Sequence, residues 1–346
     1  MNVNGIGIAT LNSCCARRAH ALILGTVAAM SFFSSASLCQ AQSELVRLVP
    51  PAAPVIAGLH RMPDNLAKDS LWLATRNNGD DLTRLLALTD HDPDRRIEQV
   101  MVADWASSID RLGNHLLIAQ GQFSLANVFT AATARVLEKT NYDGVPVLAI
   151  DAEGGAKPAT RWLAMPKHQI ALFGTPAAVQ IALDRFRNGS PADPQLLQRL
   201  RDAHPRDAAW SSVLLDSSSG LRPLDLRTAD AFSACLARLR GVGLGIQLGG
   251  TVTIDLHMEP RDASGRASGG TMQCVSEALF GRNTPQMRVA FDGDRQPHVR
   301  VTMARAQYDA WLDSFRTSRS RQLLEAMISG SDPVSDSSAE NAVSLR

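Results

Sequence analysis

The chain has 346 residues, 45% of them apolar and 20% charged, with 24 Gly, 17 Pro and a formal net charge of +1. This is ordinary globular composition, and it excludes a disordered chain, a collagen and a low-complexity scaffold. The length predicts two domains or one large one. Near-neutral charge without a basic cluster excludes nucleic-acid binding driven by a general field.

The N-terminus reads as a leader. Arg17, Arg18 and His20 precede the uncharged run Ala21–Phe33, and small residues follow to Ala41. A basic start, an apolar core and a small-residue exit predict a signal peptide over 1–41, cut after Ala41, and delivery to the periplasm or beyond. A lipoprotein would need a small residue before Cys39, where Leu38 stands. A retained anchor would need about 18–20 apolar residues, and Ala21–Leu38 is interrupted by serines. Beyond the leader no stretch is long and apolar enough to span a membrane, so the mature chain is expected not to cross one. Two cysteines then remain, Cys235 and Cys274. An even pair in an exported chain is a candidate disulfide; two buried thiols acting as small apolar residues are the alternative.

Along the mature chain, Val55–Leu59 and Leu71–Thr75 read as strands. Asp80 or Asp81 caps a helix over Leu82–Leu88. Ile97–Ala103 and His115–Gln122 are strands, and Ser124 opens a helix expected to reach about Glu138. Val145–Ile150, Arg161–Met165 and Gln169–Phe173 are strands. Thr175-Pro176 reads as an N-cap with Pro at the first helical position, opening the helix Ala177–Arg187 that Asn188-Gly189 ends. A short helix is expected at Pro194–Arg201. Then come a strand at Ala208–Leu215, a helix within Leu224–Arg240, and a hairpin of Gly241–Leu248 with Thr251–Met258 across Gly249-Gly250. The helix Thr271–Phe280, the strands Met287–Phe291 and His298–Met303 and a helix through Arg316 complete the order.

In two places a strand beginning at His runs into an amphipathic helix. His168–Arg187 ends in Leu-Asp-Arg-Phe-Arg and His298–Arg316 in Leu-Asp-Ser-Phe-Arg. The expected fold is therefore α+β, with two tandem related units over 45–190 and 207–318, joined by a linker over 191–206. Each unit would be a mainly antiparallel sheet with helices packed on one face. Residues 329–346, rich in Ser and Asp, are expected to be disordered.

Catalytic motifs are sought and not found. Gly241-Val-Gly-Leu-Gly245 lacks the last Gly of a dinucleotide loop and leads into a strand. Gly154–Thr160 lacks phosphate-loop spacing, and Asp216-Ser-Ser-Ser-Gly220 has no neighbouring base in sequence. Asp90-His91-Asp92-Pro93-Asp94 carries Arg95 and Met101 where a calcium loop needs Gly and Glu, so it reads as a solvated turn. Asp151 and Glu153 flank Gly154-Gly155 and read as a loop. No catalytic residue, metal or cofactor is implied.

Alternation singles out one polar face. Val252, Ile254, Leu256 and Met258 oppose Thr251, Thr253, Asp255 and His257; Val299, Val301 and Met303 oppose His298, Arg300 and Thr302. If these strands neighbour that of Arg288, then Asp255, His257, Arg288, His298, Arg300 and Thr302 share one surface. Such a face binds a partner or an anion, or it is cross-strand charge pairing in water. Trp72, Trp105, Trp162, Trp210 and Trp311 read as core.

Several segments resemble an uncharacterised family of exported bacterial proteins built from two α+β repeats. They are Leu48-Val-Pro-Pro-Ala-Ala-Pro-Val-Ile-Ala-Gly58, Asp92–Val100, His115–Phe123, Tyr142–Leu148 and Phe173–Asp184. The resemblance implies export and the paired fold and supplies no catalytic residue. The function expected is a non-enzymatic binding or interaction protein of the cell envelope, acting on another envelope protein or on itself. A carrier of a small apolar ligand is the second reading, and a hydrolase without a recognised motif the third.

Overall fold

The alternation of β10 (Thr251–Pro260) is carried straight into burial. Val252, Ile254, Leu256 and Met258 are at most 1% exposed, while Thr251 lies in solvent. The computed structural model describes residues 44–51, 53–60, 81, 84–85, 97–105, 113–122, 136–152, 159–202, 209–215, 231–261, 269–280, 287–291 and 297–316. The other strands are β1 (Val55–His60), β2 (Ile97–Trp105), β3 (Asn114–Gly121), β4 (Val136–Tyr142), β5 (Val145–Ala152) and β6 (Ala159–Lys167). After them come β7 (Ile170–Gly174), β8 (Ala209–Leu214), β9 (Leu239–Gln247), β11 (Met287–Phe291) and β12 (Pro297–Ala304). All lie in one sheet ordered β11-β12-β10-β9-β8-β1-β2-β3-β7-β6-β5-β4. Every neighbouring pair is antiparallel. The helices are α1 (Pro176–Arg187), α2 (Pro194–Asp202), α3 (Ala231–Leu236), α4 (Gly269–Phe280) and α5 (Arg305–Arg316). The protein is thus α+β and mostly antiparallel.

The sheet has two sides. Face A carries Leu59, Val100, Val102, Leu117, Phe173, Ile254 and Val301, and α4 and α5 bury Met272, Val275, Tyr308 and Leu312 against it. Face B carries Ile56, Met101, Ile118, Leu172 and Trp210, and is covered by Leu45–Val49, α1 and α2. Described helices therefore pack on both sides of the sheet. Strands β2, β3 and β7 are buried on both faces and read as continuous apolar runs; β10 and β12 are not, and alternate.

One element departs from the sequence reading. The helix expected to reach about Glu138 gives way to β4 from Val136. The cause is the turn that follows, where Asp143 and Gly144 adopt φ of 49° and 88°. Two successive left-handed residues are the signature of a type I′ hairpin turn. Asn141 Oδ1 accepts the Gly144 N–H at 2.6 Å, and the strand pairs with β5. The strand Leu71–Thr75, most of the helix Leu82–Leu88, the helix from Ser124 to residue 135, the leader and the tail lie outside the described residues. So do the motifs Asp90–Asp94, Glu153, Gly154–Gly155 and Asp216–Gly220.

Helix ends explain the shared Leu-Asp-x-Phe-Arg. In α1, Leu183 is buried, the Tyr142 hydroxyl donates to Asp184 at 3.0 Å, and Arg187 pairs with Asp143. Arg185 Nε donates to the Arg47 carbonyl at 2.7 Å, and Arg47 and Lys167 lie over the Phe186 ring. In this first copy the motif is a clamp holding the β4–β5 turn and the segment at Arg47. The helix ends at Gly189, whose φ is +59°.

The stretch between α1 and β8 holds α2, capped by Asp193 Oδ1, which accepts the N–H groups of Gln195 and Leu196 at 2.8 and 3.0 Å. Leu196 and Leu200 are buried. Arg199 donates to the carbonyls of Ala53, Pro54 and Ser212 at 2.8, 2.7 and 3.1 Å. Those carbonyls flank the β1–β8 pair, where the two halves of the sheet meet. Cys235 and Cys274 form a disulfide that ties α3 to α4, with Cα atoms 6.3 Å apart; of the two sequence readings, the bridge is the one seen. Trp311 donates to the Leu279 carbonyl at 2.7 Å and so anchors α5 on the end of α4.

Candidate functional site

The six candidate residues fall on β10, β12 and β11, which are adjacent. Asp255 is the Cα partner of Arg300, and Arg300 of Arg288. His257 faces His298, and Thr302 faces Thr253. The condition set by the sequence, that these strands be neighbours, is met, and period-two alternation puts all six positions on face B. The Asp255 carboxylate, its side chain 2% exposed, accepts from Arg300 Nε at 2.7 Å and Nη2 at 3.3 Å. This fork-on-carboxylate geometry is the strong form of an ion pair. The Arg300 side chain stays 49% exposed. The His257 and His298 rings stack with centroids 5.5 Å apart, and His298 is buried. On the neighbouring strand β9 stand Gly241, Gly243 and Gly245, opposite Glu259, His257 and Asp255. These glycines have no side chains to rise beside the polar groups.

Register places this patch at one end of a single row that crosses the sheet. The row runs Thr140, Val147, Ala164, Leu172, Ile118, Met101, Gly58, Trp210, Gly245, Asp255, Arg300, Arg288. From Val147 to Trp210 it is apolar; beyond one glycine it is charged. Trp210 marks the boundary. A Cβ built on Gly58 would lie 2.4 Å from the Trp210 ring, so the indole lies over a position that only glycine can occupy.

A second polar cluster, not anticipated, lies on face A of the other half. Asp104 and His115 are cross-strand partners at one end of the β2–β3 pair. His115 Nδ1 is 2.6 Å from Asp104 Oδ1, and its Nε2 is 3.4 Å from Asp81 Oδ2. Asp81, its side chain 3% exposed, also meets Arg161 Nε at 3.3 Å and Arg84 Nη1 at 3.5 Å. Thr175 belongs here too: its hydroxyl accepts the His115 backbone N–H at 3.3 Å. It occupies the N-cap position of α1 without making the side-chain cap expected of it. Burial of the ring works against the charged imidazole. The charge and hydrogen bond of Asp104 and the charge of Asp81 outweigh burial and the opposing Arg161, so the His115 pKa is raised above its ordinary 6.5. Nδ1 is hydrogen-bonded to Asp104, while Nε2 is buried near Asp81 and, among the described residues, makes no hydrogen bond. Sequence reasoning missed this cluster: Asp104 and His115 stand at strand ends, and only the β2–β3 register sets them opposite each other.

No family model matches the chain, and no curated protein is similar to it in sequence. Among solved structures, crystal form III of TP0453 is similar over 78% of this chain and 97% of that one, at 12% identity and a TM-score of 0.49. Crystal form I matches with 12% identity and a TM-score of 0.45, over 78% and 96% of the two chains. Crystal form IV gives 10% identity and the same TM-score of 0.45.

Proposed function

We propose that this is an exported, non-enzymatic protein of the cell envelope that binds another envelope protein through face B of β9, β10, β12 and β11. The observation that carries the reading is the polar ladder, in which Asp255 and Arg300, and His257 and His298, occupy directly opposed positions beside glycines. Groups already paired in one geometry lose little freedom when a partner arrives, and electrostatic pattern gives specificity. The Cys235–Cys274 bridge supports export, because stable disulfides belong to oxidising compartments. The leader over 1–41 supports it independently. Among the described residues no helix is long and apolar enough to cross a membrane.

Within the same reading the chain is a duplication, as in the exported family its segments resemble. The order β1-β2-β3-β7-β6 corresponds to β8-β9-β10-β12-β11, and the first strands of the two sets pair at the centre. The hairpin of β4 and β5 is then an insertion into the first unit. The correspondence has a limit: Leu183 of α1 packs on face B and Leu312 of α5 on face A.

The test is cross-linking in the producing organism's envelope followed by native mass spectrometry, on the wild-type chain and on Asp255→Asn with Arg300→Met. A protein adduct present in the wild type and lost in a folded double variant supports the reading. A small molecule that leaves only on denaturation replaces it with the carrier reading. An adduct unaffected by the double substitution, or none at all, overturns the assignment to this face. The intact mass also checks the cut after Ala41.

A further inference from the structure

We propose that His115 is a proton-operated latch: its imidazolium, hydrogen-bonded to Asp104 and ion-paired with Asp81, holds Asp81 and with it Arg84 and Leu85 on face A, and loss of the proton releases them. The geometry carries the argument. An imidazolium presents N–H groups at both ring nitrogens, whereas a neutral ring has one donor and one lone pair. Here both nitrogens lie beside carboxylate oxygens: Nδ1 is hydrogen-bonded to Asp104 at 2.6 Å, and Nε2 is 3.4 Å from Asp81 Oδ2, an ion-pair contact without a hydrogen bond. Only the charged ring suits both at once; the neutral ring turns a lone pair toward one of them.

The latch joins separate elements. Asp104 is on β2, His115 on β3 and Arg161 on β6. Asp81, Arg84 and Leu85 are helical, and Leu85 is wholly buried in the face A core. The charged groups facing the ring are Asp104, Asp81 and Arg161, with Arg84 beyond Asp81. The positions nearest the ring's own backbone, Gly174 at the end of β7 and Thr175 at the N-cap of α1, carry no charge. Arg161 repels the imidazolium, yet it shares Asp81 with it, so among the described residues Asp81 is tied to the sheet by two cations, His115 and Arg161, below the transition and by Arg161 above it, while Arg84 pairs with Asp81 locally. Asp104 Oδ2 is buried without a hydrogen bond, and among the described residues His115 is the charge partner of Asp104.

The sign follows from linkage. The folded-state pKa is raised, so the stabilisation is fully present below the unfolded value of 6.5 and is lost as pH climbs through the folded one. The opening equilibrium should change about tenfold for each pH unit that separates the two values.

The experiment is hydrogen exchange of the full chain from about pH 6 to about pH 9, the range over which a raised histidine discharges. Rates are corrected for intrinsic chemistry, and the His115 ring is followed by NMR. The expected result is a His115 midpoint above 6.5 and a loss of protection at residues 81–85 over the same range, with β10 and β12 unaffected. Asp104→Asn, which keeps an acceptor and removes the charge, should move both midpoints down together. His115→Gln should abolish the pH dependence; if it does not fold, Asp104→Asn carries the test alone. A His115 midpoint at or below 6.5, or protection that does not track it in either protein, overturns the latch.

Discussion

Removing one partner of the Asp255–Arg300 pair should have markedly unequal effects depending on which is removed. Arg300→Met leaves a carboxylate whose side chain is 2% exposed facing the space its guanidinium filled. Breaking a fully buried pair this way costs about 3–5 kcal/mol. Arg300 is 49% exposed, so water already reaches one side of the pair; the expected loss falls to about 2–3 kcal/mol. Asp255→Asn keeps the shape, leaves an oxygen to accept from Arg300, and lets the exposed guanidinium turn to water, for a loss of about 1 kcal/mol. The double variant should be more stable than Arg300→Met alone, with a coupling of about 1–2 kcal/mol. Urea unfolding, read as midpoints at unchanged slope, measures all four corners of the cycle. If Asp255→Asn proves as damaging as Arg300→Met, or the two losses simply add, the pair is not the buried, coupled unit described above.

Three further outcomes follow from the packing. Replacing both Cys235 and Cys274 by Ser, or reducing the bridge, should lower stability by about 4 kcal/mol on the loop-entropy estimate for a sequence separation of 39; unchanged urea midpoints with and without reductant would refute it. Gly58→Ala drives a methyl into the Trp210 ring and should cost about 1–3 kcal/mol. Adding Trp210→Leu should recover part of that loss, and strict additivity would refute the contact. Arg199→Ala, which removes the donors to three carbonyls at the β1–β8 seam, should cost about 2–3 kcal/mol. Arg199→Lys should recover less than half in the same urea assay, since a point charge does not reproduce a planar fork.

Much of the fold was legible because β10, β12 and β11 alternate and because Asn188-Gly189 and Gly249-Gly250 punctuate the chain. What was not legible depends on register. Asp255, His257, His298 and Arg300 could be named as one face from parity alone, yet parity is silent on which residue stands opposite which. The row from Thr140 to Arg288 emerges only once eleven pairings are set. β4 was missed because Val136-Leu-Glu-Lys has no strong local preference; the Asp143-Gly144 turn decides for the strand, and that signal lies beyond the segment it controls. His115 escaped notice for a related reason. Its partners come from positions 81, 104 and 161, and no local pattern unites residues so far apart.

The two polar clusters differ in what stability alone explains. His115 ties a helical segment to three strands, so its charges have structural work that an apolar residue of the same size would not do. Asp255 and Arg300 hold together β10 and β12, two strands already joined by a full antiparallel ladder. Replacing a buried ion pair with well-packed apolar residues is often neutral or stabilising, and Val or Ile at these positions would suit the strands better. Folding therefore gives no reason for a carboxylate at position 255, at the point where the row turns from apolar to charged. That surplus of polarity on an already satisfied pair of strands is why binding is assigned to the β10–β12 surface and not to the more deeply connected cluster around His115.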